Sequence, residues 1–117
     1  MKTSELTGTA LDWAVAKCKP DGMEFRHGWR KEPLLVAKHD FGNVFAPSIN
    51  WAQGGPLIER ELIALSPYLY TDDAWQATLA TPDKHYCDYG PTPLIAAMRC
   101  YVASKLGDEV EIPKELL

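Results

Sequence analysis

The residues best suited to hold a ligand gather at two places where glycine precedes proline at the start of a helical pattern. These are Asn50-Trp51-Ala52-Gln53-Gly54-Gly55-Pro56 and Tyr89-Gly90-Pro91-Thr92-Pro93. The first turn of a helix leaves backbone N–H groups without intrahelical partners and carries the positive end of the macrodipole, so it attracts carboxylates, phosphates and polar edges. In the first segment Trp51 offers a stacking plate, Asn50 and Gln53 offer amides that read donor and acceptor edges, and Gly54 and Gly55 let a backbone approach closely. Thr92 caps the second segment, and Arg60 and Arg99 supply counter-charge. Taken singly, each has a plain structural role: Trp51 can fill a core gap and Gly-Gly can make a tight turn. Taken together, they predict a site for a small polar or anionic molecule.

Other chemistries leave weaker traces. His27, His39, His85, Cys18, Cys87 and Cys100 are the soft metal ligands available, and none falls in a Cys-x-x-Cys or His-x-x-x-His spacing, so neither a metal nor a cofactor is expected. Cys87 lies two residues from His85 and is the better nucleophile candidate, whereas Cys100 sits among alanines in a helical pattern, where a small buried thiol is the ordinary reading. Glu59 and Glu61 flank Arg60 and could do acid or base work, but such an alternating run more often makes a solvated face with a local ion pair. Neither a Walker loop nor a dinucleotide fingerprint occurs. No catalytic constellation is complete, and the reading favours a non-enzyme.

The chain has 117 residues, 46% hydrophobic and 24% charged, which fits one domain spanning 1–117 with a single core. Its net charge of −4 disfavours nonspecific attraction to a nucleic-acid backbone. Met1 to Glu5 lead into an amphipathic pattern that contains Asp12, not an apolar leader, and no apolar run approaches the roughly 18 residues of a membrane span. Three cysteines at unrelated spacings fit reduced thiols, and the expected location is the cytoplasm.

The elements that must position the site follow from periodicity. An opening helix is predicted from about Thr3 or Ser4 to about Cys18, with a start nearer Thr7 as the alternative because Gly8 is costly inside a helix. Lys19-Pro20-Asp21-Gly22 stops it. Met23 and Phe25 alternate like a short strand, Leu34 to Ala37 form an apolar run, and the basic stretch Arg26 to Lys31 reads as a solvated hairpin loop. Pro56 is placed at the first position of a short helical turn through Arg60. Leu62–Leu65 and Ala74–Leu79 read as strands of an antiparallel hairpin, with Trp75, Ala77 and Leu79 on the buried face. Thr81 to His85 form a loop.

The last helix has Thr92 as N-cap, Pro93 at its first position and Gly107 past its end. Leu94, Ile95, Met98, Tyr101, Val102 and Leu106 should face the sheet. The small residues Ala96, Cys100 and Ala103 would admit a second helix, from this chain or from another copy. The tail should dock through Val110 and Ile112. The fold class predicted is α+β, a small antiparallel sheet of three to five strands packed against long N-terminal and C-terminal helices.

Three blocks of sequence resemble a known family: Ser4 to Lys17, Trp51 to Pro56 with Ile58-Glu59-Arg60-Glu61, and Tyr89 to Lys105. They are similar to the NinX-like family of small bacteriophage proteins, mostly of unknown function. Residues 21–50 and 72–87 carry less of the likeness. The resemblance implies a phage or prophage origin and expression in the cytoplasm of the bacterial host as an accessory protein, and it supplies no catalytic residues. With the ligand site, it points to sequestration of a nucleotide or nucleotide-derived signal, modulating a host process such as antiviral defence. One alternative is an interaction module that masks a host enzyme through Trp29, Trp51 and tyrosines. The other is a small hydrolase or transferase using Cys87 or the Glu59 and Glu61 pair.

Overall fold

The computed structural model describes residues 1–18, 23–27, 33–37 and 45–116. A short 3-10 turn at Thr3–Glu5 precedes the first helix, α1 (Gly8–Lys17), and two strands follow, β1 (Met23–His27) and β2 (Pro33–Ala37). Helix α2 (Trp51–Glu61) leads to strands β3 (Ala64–Pro67), β4 (Trp75–Ala80) and β5 (His85–Gly90). Helix α3 (Pro93–Leu106) follows, with a final 3-10 turn at Lys114–Leu116. β1 and β2 pair as an antiparallel hairpin, and β3, β4 and β5 form an antiparallel sheet in sequence order. The architecture is α+β, as the periodicity predicted.

Helix α3 forms the spine. Its Leu94 and every residue from Ala96 to Val102 are buried, and α3 packs on β4, β5, α1 and α2. Thr92 Oγ1 accepts from the Ile95 N–H at 3.1 Å, Pro93 opens the helix and Gly107 closes it, as the sequence indicated. Two of the three small residues also lie against the sheet. Cys100 Sγ donates to the Tyr86 carbonyl, and a methyl on Gly90 would stand 2.6 Å from the Ala96 nitrogen, so Ala96 and Cys100 bring α3 hard against β5. Leu94 meets Gly54 of α2.

Helix α1 takes the later of its two expected starts, and two other boundaries differ from the sequence reading. Helix α1 starts at Gly8, whose φ of +57° turns the chain out of the preceding 3-10 turn, a conformation glycine adopts without steric cost. Helix α2 starts at Trp51, not Pro56: Asn50 Oδ1 accepts from the Ala52 N–H at 2.9 Å, and this cap starts the helix ahead of the glycines. Pro56 therefore lies inside the helix, where it lacks the N–H that would reach back to the Ala52 carbonyl. Leu62 is the left-handed C-cap of α2, with φ 56°, so β3 begins only at Ala64 and runs through Ser66 and Pro67.

Arg26 and His27 belong to β1, whereas Lys19 to Gly22, Trp29 to Lys31, His39 and Asp40 lie outside the described residues. Strand β5 was not foreseen. Its inward face carries Asp88 between Tyr86 and Gly90, which breaks the apolar alternation by which a strand is recognised. The Asp88 carboxylate accepts the Tyr89 N–H and Arg99 Nη1 donates to the Tyr89 carbonyl, so two polar groups of the sheet edge are capped from within the chain. Val110 is buried, its N–H bonded to the Met1 carbonyl, and Ile112 packs on the core, so the tail docks as expected.

The contact of α2 with α3 depends on Gly54. A methyl there would stand 2.5 Å from the Pro47 carbonyl oxygen and 2.6 Å from Leu94 Cδ2, while one on Gly55 would meet nothing nearer than Trp51 Cε3 at 4.0 Å. Gly54→Ala should lower stability by about 1–3 kcal/mol through overpacking. Gly55→Ala should leave it unchanged or raise it by about 0.5–1 kcal/mol through helix propensity. Urea unfolding of the two variants measures the contrast, and equal effects would mean that α2 does not lie so close to α3.

Candidate functional site

Helices α2 and α3 run parallel with their starts level. Gly54 faces Leu94 near the N-terminal ends, and Glu61 meets Lys105 at 3.9 Å near the C-terminal ends. The two caps, Asn50 and Thr92, therefore stand side by side, and two positive dipole ends point the same way. Across these starts lies a hollow of about 220 Å³ lined by Ser48, Ile49, Trp51, Thr92, Pro93, Leu94 and Ile95. Trp51 is 54% exposed and forms part of its wall.

The structure brings Trp51 and Thr92 together at this hollow and assigns the other expected site residues elsewhere. Asn50 is occupied in capping α2. Gln53 Oε1 accepts from the Ala46 N–H at 2.6 Å and so ties the incoming segment to the helix. Gly54 is closed in by Pro47 and Leu94, and Gly55 lies half-buried behind the Trp51 ring. Arg60 lies nine residues beyond Trp51, roughly 13 Å along the helix, and its guanidinium meets Glu61 at 3.7 Å.

Arg99 is 5% exposed. Its Nε donates to the Leu6 carbonyl and its Nη1 to the Tyr89 carbonyl, both at 2.8 Å, with Asp73 Oδ2 at 4.0 Å. This arginine ties the N-terminal segment to β5 and to the β3–β4 loop, away from the hollow. Among the described residues no cationic side chain lines the hollow, whose polar groups are helix starts and hydroxyls.

Two residues of this region were missed by the sequence reading. Asp12, on α1, is 5% exposed, and its Oδ1 accepts the Ser48 N–H at 2.9 Å. Burial lifts its carboxyl to about 6 against hydrogen bonding from Ser48, which favours the charged form. Ser48 is 1% exposed, and its fully buried hydroxyl faces the Asp12 carboxylate. The available signal was Asp12 itself, a charge between Leu11 and Ala14 in an otherwise apolar helical stripe.

A second hollow, of about 370 Å³, lies between β5 and the segments at the two ends of the chain, lined by Lys2, Thr3, Ser4, Cys87, Asp88, Tyr89, Asp108 and Glu109. Three carboxylates against one lysine make it a poor place for an anion. Cys87 Sγ accepts from Gln76 Nε2 at 3.2 Å, and no cysteine or glutamate is hydrogen-bonded to a histidine among the described residues. Cys100 is buried and its thiol is pushed up to about 12, chiefly by desolvation, which suppresses the thiolate. Glu61 faces both Arg60 and Lys105. No group of three or more metal-ligating side chains occurs among the described residues, and no helix there is long and apolar enough to cross a membrane.

Asp12 gives the protein a measurable pH response. Its carboxyl rises from 3.8 to about 6 on folding, so the folded chain binds the proton more tightly. Its contribution to stability is therefore greatest below about pH 4, falls as pH rises to about 6, and is level above that; Asp88, also raised by burial, acts in the same direction. Asp12→Asn, which keeps an acceptor for the Ser48 N–H, should raise stability at pH 7.5 by an amount on the order of 1–3 kcal/mol and lose the advantage at pH 4. Denaturant unfolding at both pH values tests this. A loss of stability at pH 7.5 would show that the ionised carboxylate is a net stabiliser.

Residues 2–105 match the family model described as Bacteriophage P22, NinX. Among curated proteins, none matches the chain.

Proposed function

The chain belongs to the Bacteriophage P22 NinX family, and from that premise we propose that it is a phage accessory protein that sequesters a small ring-bearing polar or anionic molecule in the host cytoplasm. A nucleotide or nucleotide-derived signal is the ligand class, and modulation of a host process such as antiviral defence is the outcome. The observation that carries this reading is the hollow shared by two parallel helix starts with the half-exposed Trp51 indole as one wall. The indole offers a stacking surface, and the helix ends favour negative charge or a polar edge.

The size of the hollow narrows the pose. At about 220 Å³ it is smaller than the roughly 300–1,000 Å³ typical of drug-sized ligands. It would take one ring system, with the remainder of the ligand lying outside against the helix ends. Among the described residues no cationic side chain lines the hollow, which fits a ligand of modest charge better than a polyphosphate.

A second reading has support from exposed side chains. Ile49 is 75% exposed beside Trp51, and Leu69 and Tyr70, in the β3–β4 loop, are 84% and 86% exposed. Tyr70 stacks edge-on with Tyr68 at 5.3 Å, and Tyr68 in turn meets Tyr89 at 4.7 Å. Aromatic and aliphatic groups left in water in this way suit a protein interface that masks a host enzyme.

A thermal-shift screen against nucleotides and cyclic oligonucleotides tests the first reading. A ligand at 100 times its dissociation constant should stabilise the protein by about 2.7 kcal/mol, a rise of several degrees in Tm. Trp51→Ala should abolish the rise while changing the stability of the unliganded protein by no more than about 1.5 kcal/mol, because the indole is half in water. A shift that survives Trp51→Ala would remove the hollow as the site.

A further inference from the structure

The acidic hollow beside β5 takes no part in the sequestration reading, and its wall shares no residue with that of the Trp51 hollow. At about 370 Å³ it falls within the roughly 300–1,000 Å³ of small-molecule sites. Asp88 lies in its wall and is 8% exposed. The Asp88 Oδ1 accepts from the Tyr89 N–H at 2.9 Å, while Oδ2 has no hydrogen-bond partner among the described residues and is not sealed from solvent, so the open side of this buried carboxylate is at the hollow. The exposed Asp108 and Glu109 add two more carboxylates, against Lys2 as the one cation in the wall among the described residues. The Met1 ammonium donates to the Val110 carbonyl and Arg99 to the Leu6 and Tyr89 carbonyls, and neither lines the hollow.

Two observations choose the kind of cation. No group of three or more metal-ligating side chains occurs among the described residues, so the carboxylates do not surround one point, and a cation with its charges set apart matches them better than a metal ion. The edge of β5 in turn argues against an added peptide strand. Tyr89 has its N–H bonded to Asp88 and its carbonyl to Arg99, so both point away from β4, and alternation along the strand makes Cys87 the next residue with backbone groups on that edge. One open residue in the hollow is too few for strand addition, yet its carbonyl is a further acceptor. We propose that this hollow binds a small diamine, with Asp88 taking one ammonium in its depth and Asp108 and Glu109 holding the other at the rim.

The electrostatics favour such an occupant. Burial holds the Asp88 carboxyl above its ordinary value, and Asp73 and Asp108 push it the same way, opposed by the Tyr89 N–H and by Arg99. An ammonium against Oδ2 relieves both the desolvation and the repulsion. Its N–H groups are donors only and the carboxylates are acceptors only, so each bond it makes here is charge-assisted.

The probes are 1,4-diaminobutane, 1-aminobutane and Mg²⁺, which set two separated charges against one charge on the same carbon chain and against a point dication. In a nuclear magnetic resonance titration of the whole labelled chain at pH 7 and low salt, where charge is least screened, the diamine should shift the backbone amides of Lys2 to Ser4, Cys87 to Tyr89, Asp108 and Glu109 along one saturating curve. The Trp51 indole should stay still. 1-Aminobutane should bind about tenfold more weakly, the worth of one charge-assisted hydrogen bond, and Mg²⁺ should give no saturating shift at these amides.

Asp88→Asn keeps an acceptor for the Tyr89 N–H and should weaken diamine binding about tenfold. Asp108→Asn combined with Glu109→Gln changes only exposed side chains and should also weaken binding with the melting curve unaltered, so the test stands even if the buried variant fails to fold. Glu59→Gln, on α2, removes a charge outside the wall and should leave the affinity unchanged. Absence of a saturating shift at millimolar diamine, equal affinity for 1-aminobutane, saturation of the same amides by Mg²⁺, or binding that the wall variants leave unaltered would overturn the site. None of these results bears on the sequestration reading, which concerns the other hollow.

Discussion

The close parallel contact between α2 and α3 is the constraint on which the rest of the structure depends. Side-by-side helices running the same way place like dipole ends together, which is electrostatically unfavourable, so the pair must be held by other forces. Gly54 lets the backbones meet at the Pro47 and Leu94 contacts, and the Glu61–Lys105 pair closes the far end. Once the helices are locked this way, Asn50 and Thr92 must stand side by side and the hollow between them follows. A negative group at this place would meet two positive helix ends at once.

Two buried polar side chains hold the supporting layer. Arg99 reaches from the spine helix to carbonyls of the N-terminal segment and of β5, so a single guanidinium fixes elements 93 and 10 residues away in sequence. It satisfies their hydrogen bonds in a place where water cannot. Asp12 does the corresponding work for the segment that leads into α2, at a cost in stability above pH 6 that an apolar residue would not impose.

The terminal helices, the antiparallel hairpin and the capping of α3 could be read from the chain because each rests on local signals: 3.6-residue periodicity, alternation at Trp75, Ala77 and Leu79, and Thr92 with Pro93. What escaped depends on contacts between distant residues. Gly54-Gly55-Pro56 looked like a break, yet the glycine serves a helix contact with Leu94, and the Asn50 cap outweighs the local reluctance of the sequence to be helical. Asp88 disguised β5 because its carboxylate is used at the sheet edge. In the candidate site, Trp51 and Thr92 were visible as helix-start residues, but the link from Asp12 to Ser48 joins residues 36 apart and shows only in the folded chain. Arg60 and Arg99 were chosen for charge alone, which says nothing of the direction in which a side chain reaches.

Residue-resolved nuclear magnetic resonance of the labelled protein, titrated with adenosine 5′-monophosphate, tests the central claim most directly. If the paired helix starts form the binding site, the backbone amides of Trp51 and Leu94 and the Trp51 indole N–H should shift together and saturate along one curve, while Arg60 and the Lys2–Glu109 region stay still. Shifts confined to the acidic hollow at β5 or to the Leu69–Tyr70 loop, with Trp51 and Leu94 unmoved, would contradict it.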